Sequence, residues 1–85
     1  MIILSYIQSL IFKILIKDSK KFLTIKDIQE KIYELTNIYE NETNIRYNLN
    51  RLVLKNQITK KNDTFDTRKK IYKSKINQTK IKEKI

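Results

Sequence analysis

Five polar residues crowd one short stretch of this chain: Thr43, Asn44, Arg46, Tyr47 and Asn50. The same stretch, NETNIRYNLNRLVLKN, places Ile45, Leu49, Leu52 and Val53 at helical spacing, so the apolar side chains share one face and the five polar ones are left outside. Amide, guanidinium and hydroxyl groups gathered on one helix face are the chemistry that reads base edges in a DNA major groove. A merely solvated face would more typically carry paired Lys and Glu. A second chemical cluster follows in QITKK, NDTFDTR and KKIYK, where Lys60, Lys61, Arg68, Lys69, Lys70 and Lys73 lie on two short arms. Six cations so close repel one another unless a polyanion is near, which suits a hairpin lying along a phosphate backbone.

What is missing narrows the chemistry further. The chain has no Cys, no His and no Gly. Soft-metal ligands, cysteine nucleophiles, histidine bases and glycine phosphate loops are therefore all absent. We expect no enzyme, no cofactor and no metal. The charge is also lopsided. Residues 1–40 hold six Lys against five acids, and residues 41–85 hold thirteen Lys or Arg against four, so nearly all of the net +10 sits in the second half. Such asymmetry points to nucleic acid as partner. Ile, Lys and Asn dominate while Ala, Gly and Pro do not occur, the codon bias of an AT-rich genome. Small size and that bias suggest a virus or plasmid as source.

The elements that must position these residues can be read in turn. Residues 1–17 form an apolar helix, in which Ile7, Leu10, Ile11 and Ile14 make a stripe and Ile3, Phe12 and Ile16 fall off it. A helix apolar nearly all round is buried on more than one side. Lys13 interrupts the run, which is shorter than the ~20 residues of a membrane span. DSKKFL is a loop or short strand, after which Thr24 and Asp27 have the spacing of a capping box. Residues 24–36 form the second helix, with Ile25, Ile28, Ile32 and Leu35 inward and Asp27 paired with Lys31 outside. It ends near Thr36 and Asn37.

The third helix, residues 41–55, takes Asn41 as N-cap and stops at Asn56, the best substitute for a left-handed Gly. A hairpin over 57–73 makes its apolar contacts through Ile58 and through Ile71 or Tyr72. Phe65, at the loop centre, either folds back onto the domain or, more sharply, wedges into a groove. Tyr33 and Tyr39 read as packing residues. Residues 74–85 are a frayed basic tail or a short fourth helix capped by Ser74.

The run IRYNLNRLVLKNQITKK, followed by DTR and KIY, resembles the core of winged helix-turn-helix regulators of the MarR-like and related kinds. Their pattern joins a recognition helix with Leu-x-x-Leu to a turn Gly, an Ile, a basic hairpin with Asp-x-Arg and an aromatic return strand. Leu49, Leu52, Ile58, Asp66, Arg68 and Tyr72 fall on it, and the likeness covers about residues 22–74. Asn56 stands where the pattern has Gly, and the wing loop is glycine-free.

The resemblance implies an α+β, mostly α, single winged-helix domain. It implies that Thr43, Asn44, Arg46, Tyr47 and Asn50 enter a major groove. It gives Arg68 a wing contact with the backbone or minor groove, against the plainer role of bracing the loop through Asp66 or Asp63. The expected function is sequence-specific binding of double-stranded DNA as a cytoplasmic transcription regulator. Alternatives are a module that docks on protein or RNA, and a membrane-surface protein anchored by residues 1–16. Ile3, Phe12 and Ile16 would leave an apolar patch exposed on a monomer, so a homodimer through this helix is expected, with two third helices ~34 Å apart.

Overall fold

The computed structural model describes residues 4–75. Three helices and three short strands alternate as α1 (Tyr6–Lys17), β1 (Leu23–Thr24), α2 (Ile25–Thr36), α3 (Glu42–Leu54), β2 (Ile58–Asn62) and β3 (Lys70–Ser74). The architecture is α+β and mostly helical. The extents predicted for the tail beyond residue 75, and the position of Ile3, lie outside the described residues.

Local chemistry sets where each helix starts and stops. Predicted from residue 1, α1 instead begins at Tyr6, because the Ser5 hydroxyl accepts from the Gln8 amide and closes the first turn. At α2 the capping box is complete: Asp27 N–H donates to Thr24 Oγ1 at 3.1 Å, and Thr24 N–H donates to Asp27 Oδ2 at 3.1 Å. The helix stops at Asn37, left-handed at φ 60°. Asn41 caps α3 by accepting from the Asn44 amide at 2.7 Å. Asn56, at φ 62°, then turns the chain, with Gln57 N–H donating to the Leu52 carbonyl and Asn56 N–H to that of Val53. That pair of bonds is a Schellman stop built without glycine.

The core is one cluster in which Ile11, Leu15, Leu23, Ile28, Ile32, Ile45, Leu49, Leu52, Ile58 and Tyr72 are essentially solvent-free. Helix α1 packs against α2, α3 and β3 at once, as its all-round apolarity requires. Its deepest residues are Ile11, Ile14 and Leu15, while Ile7 and Leu10 are half-buried at its edge. The sheet is antiparallel in the order β1, β3, β2, with Leu23 opposite Tyr72 and Lys60 also opposite Tyr72 from the other side. The segment before α2 thus adds a third strand to the hairpin.

Two expectations are corrected. Leu35 is 62% exposed rather than inward, at the rim of a hollow it shares with Ile14, Lys17 and Asp18 where α1 ends. Lys31 pairs with Asp18 at 3.1 Å, not with Asp27, whose carboxylate is turned back to cap its own helix. Tyr33 and Tyr39, read as packing residues, do pack: edge to face on each other at 5.9 Å, both exposed and outside the core.

Candidate nucleic-acid interface

The outward face of α3 presents Thr43, Arg46 and Tyr47 to solvent, with Asn50 half-buried at its lower end. Asn50 Oδ1 accepts from Lys60 Nζ at 3.1 Å, so the first strand of the hairpin is tied to the helix it flanks. Burial raises the Tyr72 phenol above its ordinary value, and the charge of the Arg46 guanidinium pulls it partly back.

Asn44 is placed differently from its neighbours. It is half-buried, its Nδ2 donates to Glu40 Oε1 at 2.6 Å, and its Oδ1 accepts from Asn48 at 3.2 Å. Both ends of its amide are engaged within the protein. Asn48, which the sequence reading passed over, is buried and links onward: its Nδ2 also donates to the Asn44 carbonyl at 2.8 Å, and its Oδ1 accepts from Gln8 Nε2 at 3.2 Å. Gln8 Oε1 in turn accepts from Lys55 Nζ at 2.8 Å. A line of amides therefore runs from the C-terminal end of α3, through α1, to its N-terminal turn. The signal was present in the sequence. Asn48 lies among Ile45, Leu49 and Leu52 on the apolar stripe, where a polar group must find a partner.

The hairpin divides its cations between two faces. Side chains alternate along a strand, and Ile58, Tyr72 and Ser74 point into the domain. Lys60 shares their face, beside α3. Lys61 and Lys73 occupy the other face, where their ammonium groups lie 4.1 Å and 5.5 Å from the centre of the Phe22 ring. Lys70 Nζ donates to Asn62 Oδ1 across the strand pair.

At the wing tip, residues 63–69, the backbone closes on itself: Asp63 N–H donates to the Lys69 carbonyl and Lys69 N–H to the Asp66 carbonyl, both at 2.9 Å. Asp63 and Asp66 accept from the amides of Phe65 and Arg68 at 3.1 Å. Arg68 Nε reaches Asp66 at 3.4 Å, yet the arginine side chain stays 91% exposed. The brace expected from Asp66 exists and leaves the guanidinium free to solvent. Phe65 does not fold back onto the domain; it is 98% exposed, because the loop's turns hold it at the outermost point.

These parts enclose one cleft of about 270 Å³, lined by Thr24, Ile25, Lys26, Glu42, Arg46, Arg68, Lys69 and Lys70. Five cations face it and one carboxylate opposes them. The N-terminal ends of α2 and α3 and the return arm of the wing all meet there. Away from it, Phe12 and Ile16 on α1 are each half-buried, and Phe12 packs against the core, so it is less exposed than expected. Among the described residues no helix is long and apolar enough to cross a membrane.

No family model matches the sequence, and no curated protein is significantly similar to it. Solved structures do resemble it. The YusO protein from Bacillus subtilis superposes with a TM-score of 0.69 at 20% identity, over 84% of this chain and 45% of that one. A mutant of MepR from S. aureus gives 0.70 at 21% identity, over 94% of this chain and 52% of that one. The adhesin competence repressor AdcR from Streptococcus pyogenes gives 0.58 at 22% identity, over 84% and 45%. This chain spans about half the length of each. The likeness shows the fold: a winged helix-turn-helix, with α3 as its third helix and β2 and β3 as the wing.

Proposed function

We propose that this protein is a transcription regulator that binds double-stranded DNA sequence-specifically, with α3 in the major groove and the wing on the phosphate backbone. One observation carries the reading: Arg46 on the exposed face of α3 and Arg68, Lys69 and Lys70 of the wing border a single cleft, so one duplex reaches both. Thr43, Arg46, Tyr47 and Asn50 are the base-reading set. Lys60, Lys69 and Lys70 neutralise phosphates, and Arg68 reaches from the wing tip. Asn44 serves from behind, fixing the first turn of α3 against Glu40, and Lys61 adds to the field from the far face of the sheet. MarR-like architecture in the neighbours, one of them a repressor by name, supports the same assignment.

A homodimer accompanies this reading. Ile16, Phe12 and Ile3 are the residues of α1 and its approach that a second copy would cover, and pairing them presents two α3 helices to successive major grooves.

Selection of bound fragments from a random duplex pool tests the proposal. Enrichment of a short motif, with affinity falling about 10³-fold or more between 50 and 200 mM salt, is the expected result. Recovery of no preferred sequence, with salt-independent retention, contradicts it.

A further inference from the structure

Phe65 is the one apolar side chain of the wing loop, and its setting gives it a use. The other two phenylalanines, Phe12 and Phe22, are half-buried, whereas Phe65 is 98% exposed. An apolar ring held fully in water forgoes the burial that stabilises such rings elsewhere in the fold. The loop is not slack. Two backbone hydrogen bonds and two from the carboxylates of Asp63 and Asp66 set its turns. Those carboxylates face the loop's own amides and Arg68, so the tip offers a polyanion its ring and its cations rather than its acids.

We infer that Phe65 is a wedge that enters the minor groove of the bound duplex, parts a base step and bends the DNA. The inference rests on the DNA-binding reading and names the contact made by the wing tip. Charge complementarity identifies the occupant. Arg68, Lys69 and Lys70 come three to five positions after the ring and line the cleft with Arg46 of α3, so the tip lies beside the groove that α3 occupies. On B-DNA the neighbour of a major groove is a minor groove ~6 Å wide, narrow enough to hold one ring between two phosphate walls. Apolar wedges used in this way kink the duplex by ~20° or more, and the bend brings more backbone to the flanking cations.

The test uses the full chain and the tightest duplex recovered from the random pool, end-labelled with donor and acceptor dyes. Wild-type protein should raise energy transfer between the ends, reporting a bend. Phe65→Ala should abolish most of that rise and weaken binding on the order of tenfold, and Phe65→Trp should keep both. All three proteins should melt at the same temperature, since the ring is 98% exposed among the described residues. A bend unchanged in Phe65→Ala, or a duplex that stays straight under wild-type protein, overturns the wedge and leaves DNA binding standing. A lowered melting temperature for Phe65→Ala overturns it as well, by showing the ring to be a packing residue. If wild-type protein binds no duplex at low salt, the DNA reading fails and the wedge with it.

Discussion

Arg46 and Lys69 border the same cleft and should nonetheless fail in different ways. On the proposed reading Arg46, exposed on α3, meets a base edge, and Lys69, on the wing, meets a phosphate. Arg46→Ala should cost roughly 1–3 kcal/mol on the preferred site and flatten sequence preference. Lys69→Ala should weaken all sequences about alike and lower the salt slope by about one. Competition binding against a panel of single-base variants at several salt concentrations separates the two. Identical behaviour would mean that α3 does not read sequence.

The buried amides make a different prediction. Asn48→Ala strands Gln8 Nε2 and frees Asn44, so it should destabilise the fold by roughly 1–3 kcal/mol. Removing both partners, Gln8→Leu with Asn48→Leu, should recover much of that loss, because neither buried amide of the pair is left facing a missing partner. Urea melts of the wild type and the two variants check whether the loss is recovered.

At the scale of elements, helix ends were the most legible feature, since they depend on neighbours two to four residues away. Thr24 and Asp27, Asn41, and the left-handed Asn56 all act as their spacing predicts. Thr24→Ala should accordingly cost about 1 kcal/mol by loss of the α2 cap, measurable in thermal unfolding. Less legible was whatever depended on distant chain. Leu35 fits the α2 stripe but sits exposed at the rim of a hollow beside the last turn of α1. Lys31 has two acids in reach, and only the fold places Asp18 beside it while Asp27 is spent on the cap. The Gln8–Asn48 bond joins residues forty positions apart, beyond any local pattern. Within the candidate interface, the sequence distinguished which residues were polar but not which were already bonded, as Asn44 is, nor which face of the first hairpin strand lies beside α3.

The same elements set the response to alkali. Asp18 holds Lys31 above the usual lysine range through its hydrogen bond and charge, and burial holds Tyr72 above the usual phenol range. Both folded values exceed the unfolded ones. Their contributions are therefore complete below about pH 10 and are lost as pH rises through the folded values. Denaturation midpoints should be insensitive to these two groups near neutrality and fall above about pH 10. Tyr72→Phe should blunt that fall.

At the scale of the molecule, two surfaces remain to be matched with partners: the basic cleft with a duplex, and α1 with a second copy. Sedimentation equilibrium without detergent should give about twice the 10.3 kDa of one chain. Phe12→Lys with Ile16→Lys should yield a monomer that binds its site much more weakly. A wild-type monomer at tens of micromolar would refute the dimer without touching the cleft. The central claim is that α3 and the wing engage one duplex together, and amide chemical-shift mapping on titration with the selected duplex tests it most directly. The largest shifts should fall on Thr43, Arg46, Tyr47 and Asn50 and, at the same stoichiometry, on Arg68, Lys69 and Lys70. Shifts centred instead on Lys61, Lys73 and Phe22, or on Tyr33 and Tyr39, with α3 silent, would contradict it.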